Sequence, residues 1–319
     1  MNSTNNMNYK EFVEEMKMLL ENVADEKTKV EIQISIKNNG IEKSGLKITK
    51  ENSNISPVIY LESLFEQYLN GLEVEQLMLK VIDIYNDVSY EENVDVQNFM
   101  NFNIVKDKLA YKIINTERNK ELLDEIPHIE ILDFSIVLHL LLKANEEGVS
   151  TVLVRNEHIE WWNCSKAELF QIAKKNTEEK LKAEFKSMSE TIAEIISASI
   201  QDNEIVKMSE QDFLYVLTNS LRMYGAGSIL HGGILEKIAG KLNDDFYILP
   251  SSVHEIIIVA ASDTDMDLKE LSLLVRTINE TQVAPGEVLA DNAYYYDRLK
   301  KTLADVAIGE LENCFCSIA

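Results

Sequence analysis

The stretch Val30-Glu31-Ile32-Gln33-Ile34-Ser35-Ile36, followed after one lysine by Asn38-Asn39-Gly40, decides how the rest of the chain is read. Apolar and polar residues alternate without a break. A strand would therefore gather Val30, Ile32, Ile34 and Ile36 on one buried face. Asn-Asn-Gly then supplies residues that tolerate left-handed backbone, which a tight reversal requires. A strand that turns straight back pairs antiparallel, because parallel partners need a long crossover. Gly45-Leu-Lys-Ile-Thr49 is the expected, weaker partner strand.

Upstream, Tyr9, Phe12, Val13, Met16, Leu19, Leu20 and Val23 recur at helical spacing and predict an amphipathic helix. Downstream, 58–61 after Pro57 reads as a short extended piece, where a proline at the strand start removes no ladder hydrogen bond. Residues 62–69 read as a helix stopped by Asn70-Gly71. Residues 74–85 read as another, with Leu77, Val81 and Tyr85 on one face joined by Ile82 and Ile84. Residues 90–96 read as a polar loop, and 105–114 fit a helix or a strand equally. Residues 130–142 and 150–154 make a second hairpin about Glu146-Glu147-Gly148. Ser165-Lys-Ala-Glu168 has the capping-box pattern. Residues 177–186 read as a charged linker or solvated helix, and 188–200 as a helix. A strand at 213–217 takes 225–230 as its partner. Gly232-Gly233 opens a helix through Leu242, and 245–249 and 253–261 are strands. An acidic cap starts a helix over 267–280. Residues 292–296 are a last strand and 299–311 a final helix. Hairpins interleaved with helices, without sustained βαβ spacing, predict an α+β fold with antiparallel sheets. The charged stretch 177–189 marks the expected boundary between an N-terminal region, 1–186, and a C-terminal region, 187–319.

Composition removes several function classes. The 319 residues carry 54 Asp+Glu against 31 Lys+Arg, a formal net charge of -23. That excess argues against binding to a nucleic-acid backbone, which relies on Lys and Arg to release counterions. It argues equally against an anionic membrane surface. Only five of the basic residues are arginine, so bidentate phosphate clamps are scarce. Three cysteines, Cys164, Cys314 and Cys316, are too few and odd in number for a secreted disulfide framework. The first ten residues lack a basic region followed by an apolar run, and no uncharged apolar stretch reaches about 18 residues. The expected compartment is the cytoplasm.

Four segments stand in a distinctive order: Ser56-Pro-Val-Ile-Tyr-Leu-Glu62; Arg155-Asn-Glu-His158 with 161–169; Tyr247-Ile-Leu-Pro-Ser-Ser-Val-His-Glu255; and 275–297 with Asn279-Glu280-Thr281-Gln-Val-Ala-Pro285 and Tyr294-Tyr-Tyr-Asp297. In this order they resemble a bacterial family, the domain of unknown function DUF5688, from Tyr9 to Arg298. The resemblance implies a bacterial, cytoplasmic protein. It transfers no catalytic residue. The tail beyond Leu303 does not belong to the pattern.

No complete catalytic constellation is present. His254-Glu255 opens like His-Glu-x-x-His, but the fifth residue is Ile258 and the setting reads as a strand. His128-Ile-Glu130 and His158-Ile-Glu160 give the His-x-Glu of zinc deaminases without the paired cysteines that complete such a site. Cys164 near His158 is a conceivable nucleophile pair, although a packed cysteine is commoner. Gly225-Ala-Gly227 and Gly232-Gly233 offer an anion cradle or close backbone packing; the dinucleotide and phosphate-loop fingerprints are both absent. Asp263, Asp265 and Asp267 lack the spacing of a calcium loop. Trp161-Trp162 and Tyr294-Tyr295-Tyr296 are candidate ligand surfaces, since aromatics concentrate binding energy. On a strand, Tyr294 and Tyr296 would share one face and Tyr295 take the other.

The leading expectation is a non-enzymatic binding or interaction protein with a protein or small-molecule partner, and with no cofactor or metal. The alternative is a hydrolase with a site assembled from His158, Ser252, His254 and Glu255, which requires nucleophile–base contact in one pocket. A weaker one is an acidic nucleic-acid mimic, which requires a continuous carboxylate stripe.

Overall fold

The computed structural model describes residues 7–51, 58–91, 99–145, 148–199, 213–304, 306–307 and 315. The chain divides into two compact units, Met1–Lys37 with Ile41–Asn101, and Asn38–Gly40 with Phe102–Ala319.

The first unit holds a three-stranded antiparallel sheet in the order β1-β2-β3 (Thr28–Ile36, Glu42–Lys50, Val58–Tyr60). Helices α1 (Tyr9–Val23), α2 (Glu62–Leu69) and α3 (Val74–Glu91) complete it. Asn8 caps α1: its side chain accepts from the Glu11 N–H, and Glu11 accepts from the Asn8 N–H. Phe12, Met16, Leu46, Leu61, Leu77 and Val81 form the heart of one buried cluster. The alternation in β1 predicts the strand correctly but only half of its buried face. Val30 and Ile32 pair across from Ile48 and Leu46 and join the cluster. Ile34 and Ile36 lie opposite Ser44 and Glu42 and are 60% and 50% exposed. In α3, which runs on through Tyr90 and Glu91 of the expected loop, Ile84 remains exposed. Pro57 and residues 92–96 lie outside the described residues.

The second unit contains two antiparallel sheets. In the four-stranded one, β6 (Phe134–Asn145) is central. Strand β4 (Leu109–Asn115) lies along one edge, while β5 (His128–Ile131) and β7 (Gly148–Leu153) share the other in tandem. The ambiguous 105–114 segment resolves into both alternatives. Helix α4 (Phe102–Val105) and a 3-10 turn, Lys106–Lys108, lead into β4. Residues 130–142, expected as one strand of a hairpin, contain a further reversal at Leu132, whose φ is 52°. Residues 146–147 lie outside the described residues. Helices α5 (Lys120–Glu125), α6 (Asn156–Trp162), α7 (Lys166–Lys180) and α8 (Met188–Ser199) follow. Ser165 caps α7 by accepting from the Glu168 N–H at 3.2 Å, one half of the expected box.

The seven-stranded sheet runs β14-β13-β12-β10-β11-β9-β8. Its strands are β8 (Ala183–Ser187), β9 (Tyr215–Asn219), β10 (Phe246–Leu249), β11 (Ile256–Ala260), β12 (Tyr294–Asp297), β13 (Thr302–Leu303) and β14 (Val306–Ala307). Helices α9 (Ile234–Leu242) and α10 (Leu268–Thr281) match the expected ones to within a residue or two. Three expectations are corrected. The linker or helix at 177–186 is the end of α7 and then edge strand β8, whose Glu184 and Lys186 suit an edge. Residue 186 lies inside that strand, and the two compact units part after residue 101 apart from Asn38–Gly40. Residues Gly225–Leu230 form a buried 3-10 turn; β9 pairs with β8 and β11 instead. The expected final helix breaks at Lys301 and Ala304, both left-handed at φ 54° and 49°, and gives β13 and β14. Residues 305 and 308–311 of that expected helix lie outside the described residues. Every strand pair among the described residues is antiparallel, as an α+β fold requires. Among these residues no helix is long and apolar enough to cross a membrane.

Candidate functional site

The connection between β10 and β11 carries three of the four candidate catalytic residues. It is clamped from two sides. Pro250 and Ser251 carbonyls accept from Ala290 and Leu289, and the Val253 N–H donates to the Glu287 carbonyl at 2.9 Å. On the other side Thr218 Oγ1 donates to the His254 carbonyl at 2.8 Å. Gly225 fits there only because it lacks a side chain: a Cβ would lie 2.1 Å from Thr218 Oγ1 and 2.5 Å from the His254 carbonyl oxygen. At Gly225 close backbone packing is thus the constraint, whereas a Cβ at Gly232 or Gly233 would meet nothing within 4 Å.

This clamp presents His254 to Tyr224, which is left-handed at φ 53°. The Tyr224 N–H donates to His254 Nδ1 at 3.3 Å, and the two rings stack at 5.7 Å. An accepting Nδ1 leaves the proton on Nε2 of the neutral ring. That nitrogen faces Glu287 Oε1 at 3.5 Å. Ser252 Oγ, for its part, accepts from the His254 backbone N–H at 3.0 Å. Ser252 and His254 are neighbours, yet neither ring nitrogen bonds the hydroxyl. Glu255 takes part in none of these contacts.

His158 is placed differently. In α6 its Nδ1 accepts from the Arg155 N–H at 3.1 Å, and its ring packs against Trp161 and Trp162 at 5.1 and 5.4 Å. Burial pushes its pKa down, against a smaller upward pull from Glu157. It serves as a helix cap, with partners distinct from those of His254. Burial, reinforced by Glu168, pushes the Cys164 thiol up, which is the wrong direction for a nucleophile. Asp267 caps α10 by accepting from Lys269 and Glu270 N–H groups. Among the described residues no group of three His, Cys, Asp or Glu could hold a metal ion.

The sequence reading missed the surroundings of His254. Lys112 Nζ sits 4.0 Å over the Tyr224 ring, and buried His139 meets that ring edge-on at 5.6 Å. His139 Nδ1 has no hydrogen-bond partner among the described residues. Burial, then Lys112, lowers its pKa to about 3. A lone histidine inside the apolar run 136–142 was the available signal.

The tyrosine triplet of β12 borders a groove. Tyr296 is fully buried against Phe246 at 4.7 Å, and Tyr294 points to the same side, while Tyr295 takes the other. Tyr295 pairs across the strands with Tyr247, ring to ring at 5.3 Å. These rings, with Leu268, Ala293, Lys300 and Thr302, line a groove of about 500 Å³. Two of the three tyrosine hydroxyls at the groove are already used. Tyr295 Oη donates to Asp245 at 2.6 Å and Tyr294 Oη to Asp133 at 2.8 Å. The Asp245 hydrogen bond raises the Tyr295 pKa, and burial raises that of Tyr294. Asp297 accepts from two backbone N–H groups and from Lys300. What the groove offers a ligand is therefore ring and aliphatic surface. A second depression of about 380 Å³, which includes Leu273 and Arg276, shares Leu268 and Ala293 with it. Of the other aromatic pair, Trp162 is buried against Phe102 and Trp161 is exposed.

Fold and site together define an α+β protein with antiparallel sheets, a histidine pinned by backbone contacts and an aromatic groove. The model of the family of unknown function DUF5688 matches residues 9–298, and the chain belongs to that family. No curated protein and no solved structure matches it.

Proposed function

We propose that this is a non-enzymatic binding protein of the bacterial cytoplasm and that the groove beside β12 is its recognition surface. The observation that carries the reading is the ring surface that half-buried Tyr247 and Tyr295 turn to the groove, with the Tyr295 hydroxyl held by Asp245. A site of this size with few free polar groups suits an apolar or aromatic ligand or side chain. The hydrolase alternative, built on Ser252, His254, Glu255 and His158, finds less support, because among the described residues no base hydrogen-bonds the Ser252 hydroxyl.

The test is a titration of the full chain with a panel of aromatic fragments and short peptides, followed by amide NMR. Ligands are expected to shift resonances of Tyr247, Leu268 and Tyr295, and Leu268→Asp at the groove wall is expected to weaken them at least about tenfold, since it places a charge in apolar surface. Shifts elsewhere, or shifts indifferent to Leu268→Asp, would count against the groove. Hydrolysis of an ester panel that disappears in Ser252→Ala would restore the alternative.

A further inference from the structure

Phe315 lies beyond the family-matched span, which ends at residue 298, and yet it is fully buried in the second unit. Its hosts all belong to the matched span. Its ring lies 5.1 Å from Tyr111 of β4 and 6.5 Å from Phe170 of α7, and Lys174 Nζ sits 5.1 Å over its face. His231 meets Tyr111 edge to face, ring to ring at 6.3 Å. His231 is 92% buried by its relative exposure of 8%, and its Nε2 has no hydrogen-bond partner among the described residues. Ser228 Oγ nearby in the chain is buried and unpartnered in the same sense. Burial, then Lys174 and Lys237, lowers the His231 pKa to about 4.

A pocket built solely to pack a core phenylalanine needs no cation over the ring. Nor does it gain from an unpaired ring nitrogen on the histidine that packs against Tyr111, which costs about 1–3 kcal/mol. An aromatic anchor in a deep pocket with a cation on its face is how peptide hot spots are recognised. The sequence just before Phe315 carries Glu310 and Glu312, opposite in charge to the two lysines acting on His231. We propose that the socket of Tyr111, Phe170, Lys174 and His231 is a docking site for an aromatic side chain carried on an acidic peptide, with Phe315 as its tethered occupant.

The experiment uses the full chain with Phe315→Ala and a fluorescein-labelled peptide of residues 308–319 carrying serine at both cysteine positions, read by fluorescence anisotropy. The peptide is expected to bind the variant saturably. Binding to the unaltered chain should be at least about tenfold weaker, because a tethered residue competes at an effective concentration near millimolar. A peptide with alanine in place of the phenylalanine should not bind, and adding Lys174→Glu to the variant should weaken binding at least tenfold. Should Phe315→Ala not fold, Phe315→Leu carries the same titration with aliphatic bulk retained. Equal binding of both peptides, no binding to a folded variant, or failure of both variants to fold makes Phe315 an ordinary core residue and overturns the proposal.

Discussion

Asn39 has a left-handed backbone, φ 61°, at the tip of the turn after β1. Its amide nitrogen donates to the carbonyls of Pro285 and Val288 at 2.8 and 2.7 Å, and its oxygen accepts from Asn119 at 2.9 Å. Asn39→Asp keeps the shape but turns the donor into an acceptor facing two carbonyls. The expected loss is about 2–3 kcal/mol, seen as a lower urea midpoint with an unchanged slope. At Gly225 the constraint is space. Gly225→Ala would push a methyl against the Asn219 backbone at 2.7 Å as well as Thr218 Oγ1, so at least about 3 kcal/mol should be lost in a thermal melt. The turn chemistry of Asn38-Asn39-Gly40 was legible, because left-handed backbone is a local preference. The partners of those side chains were not, since they lie between 80 and 249 residues away in the chain. The same holds for His254, singled out by type, whose ring nitrogens are committed by Tyr224 and Glu287.

Helix α10 shows the element scale at its most legible. The sequence places the acidic cap at Asp267, and the structure has Asp267 accepting from two N–H groups while Glu270 accepts from the Asp267 N–H. Asp267→Ala should cost about 1 kcal/mol in thermal or urea unfolding, the usual value for a lost N-cap. Strand β1 tests burial. Ile34→Thr should change stability by no more than about 0.5 kcal/mol, because the side chain is already exposed. Leu46→Ala, in the same sheet but in the cluster, should cost about 3 kcal/mol. The misread elements have one physical cause. Strands β8, β13 and β14 are short, and each is defined by its neighbour: Phe185 opposite Leu217, Leu303 opposite Tyr296. A helix makes its hydrogen bonds within its own sequence, whereas a short strand borrows them from elsewhere.

For the molecule as a whole, the buried imidazoles make stability depend on pH. His139 and His231 have native pKa values of about 3 and about 4, below the ordinary 6.5. Burial lowers His158 as well. Between those values and 6.5 the unfolded chain binds protons that the native state does not. Stability is therefore fully present above pH 6.5 and is lost as pH falls, by about 1.4 kcal/mol per pH unit for each such histidine. Between pH 6.5 and 5 most carboxylates remain ionised, so the loss there reports the imidazoles. His139→Leu should make urea-unfolding free energies fall less steeply over that window; an unchanged slope would mean that His139 is protonated in the native state.

The sequence by itself determined the α+β class, the antiparallel pairing, the helices with their own caps and the family. Each of these rests on periodicity, turn chemistry or motif order, which neighbouring residues set. The tertiary structure alone decided that the units part after residue 101, that Gly225–Leu230 packs as a buried turn, that Ser252 Oγ accepts from the His254 backbone N–H, and that Tyr247 joins Tyr295 at a groove. Those outcomes depend on which distant segments meet, and on how much room and how many hydrogen-bond partners each side chain then finds.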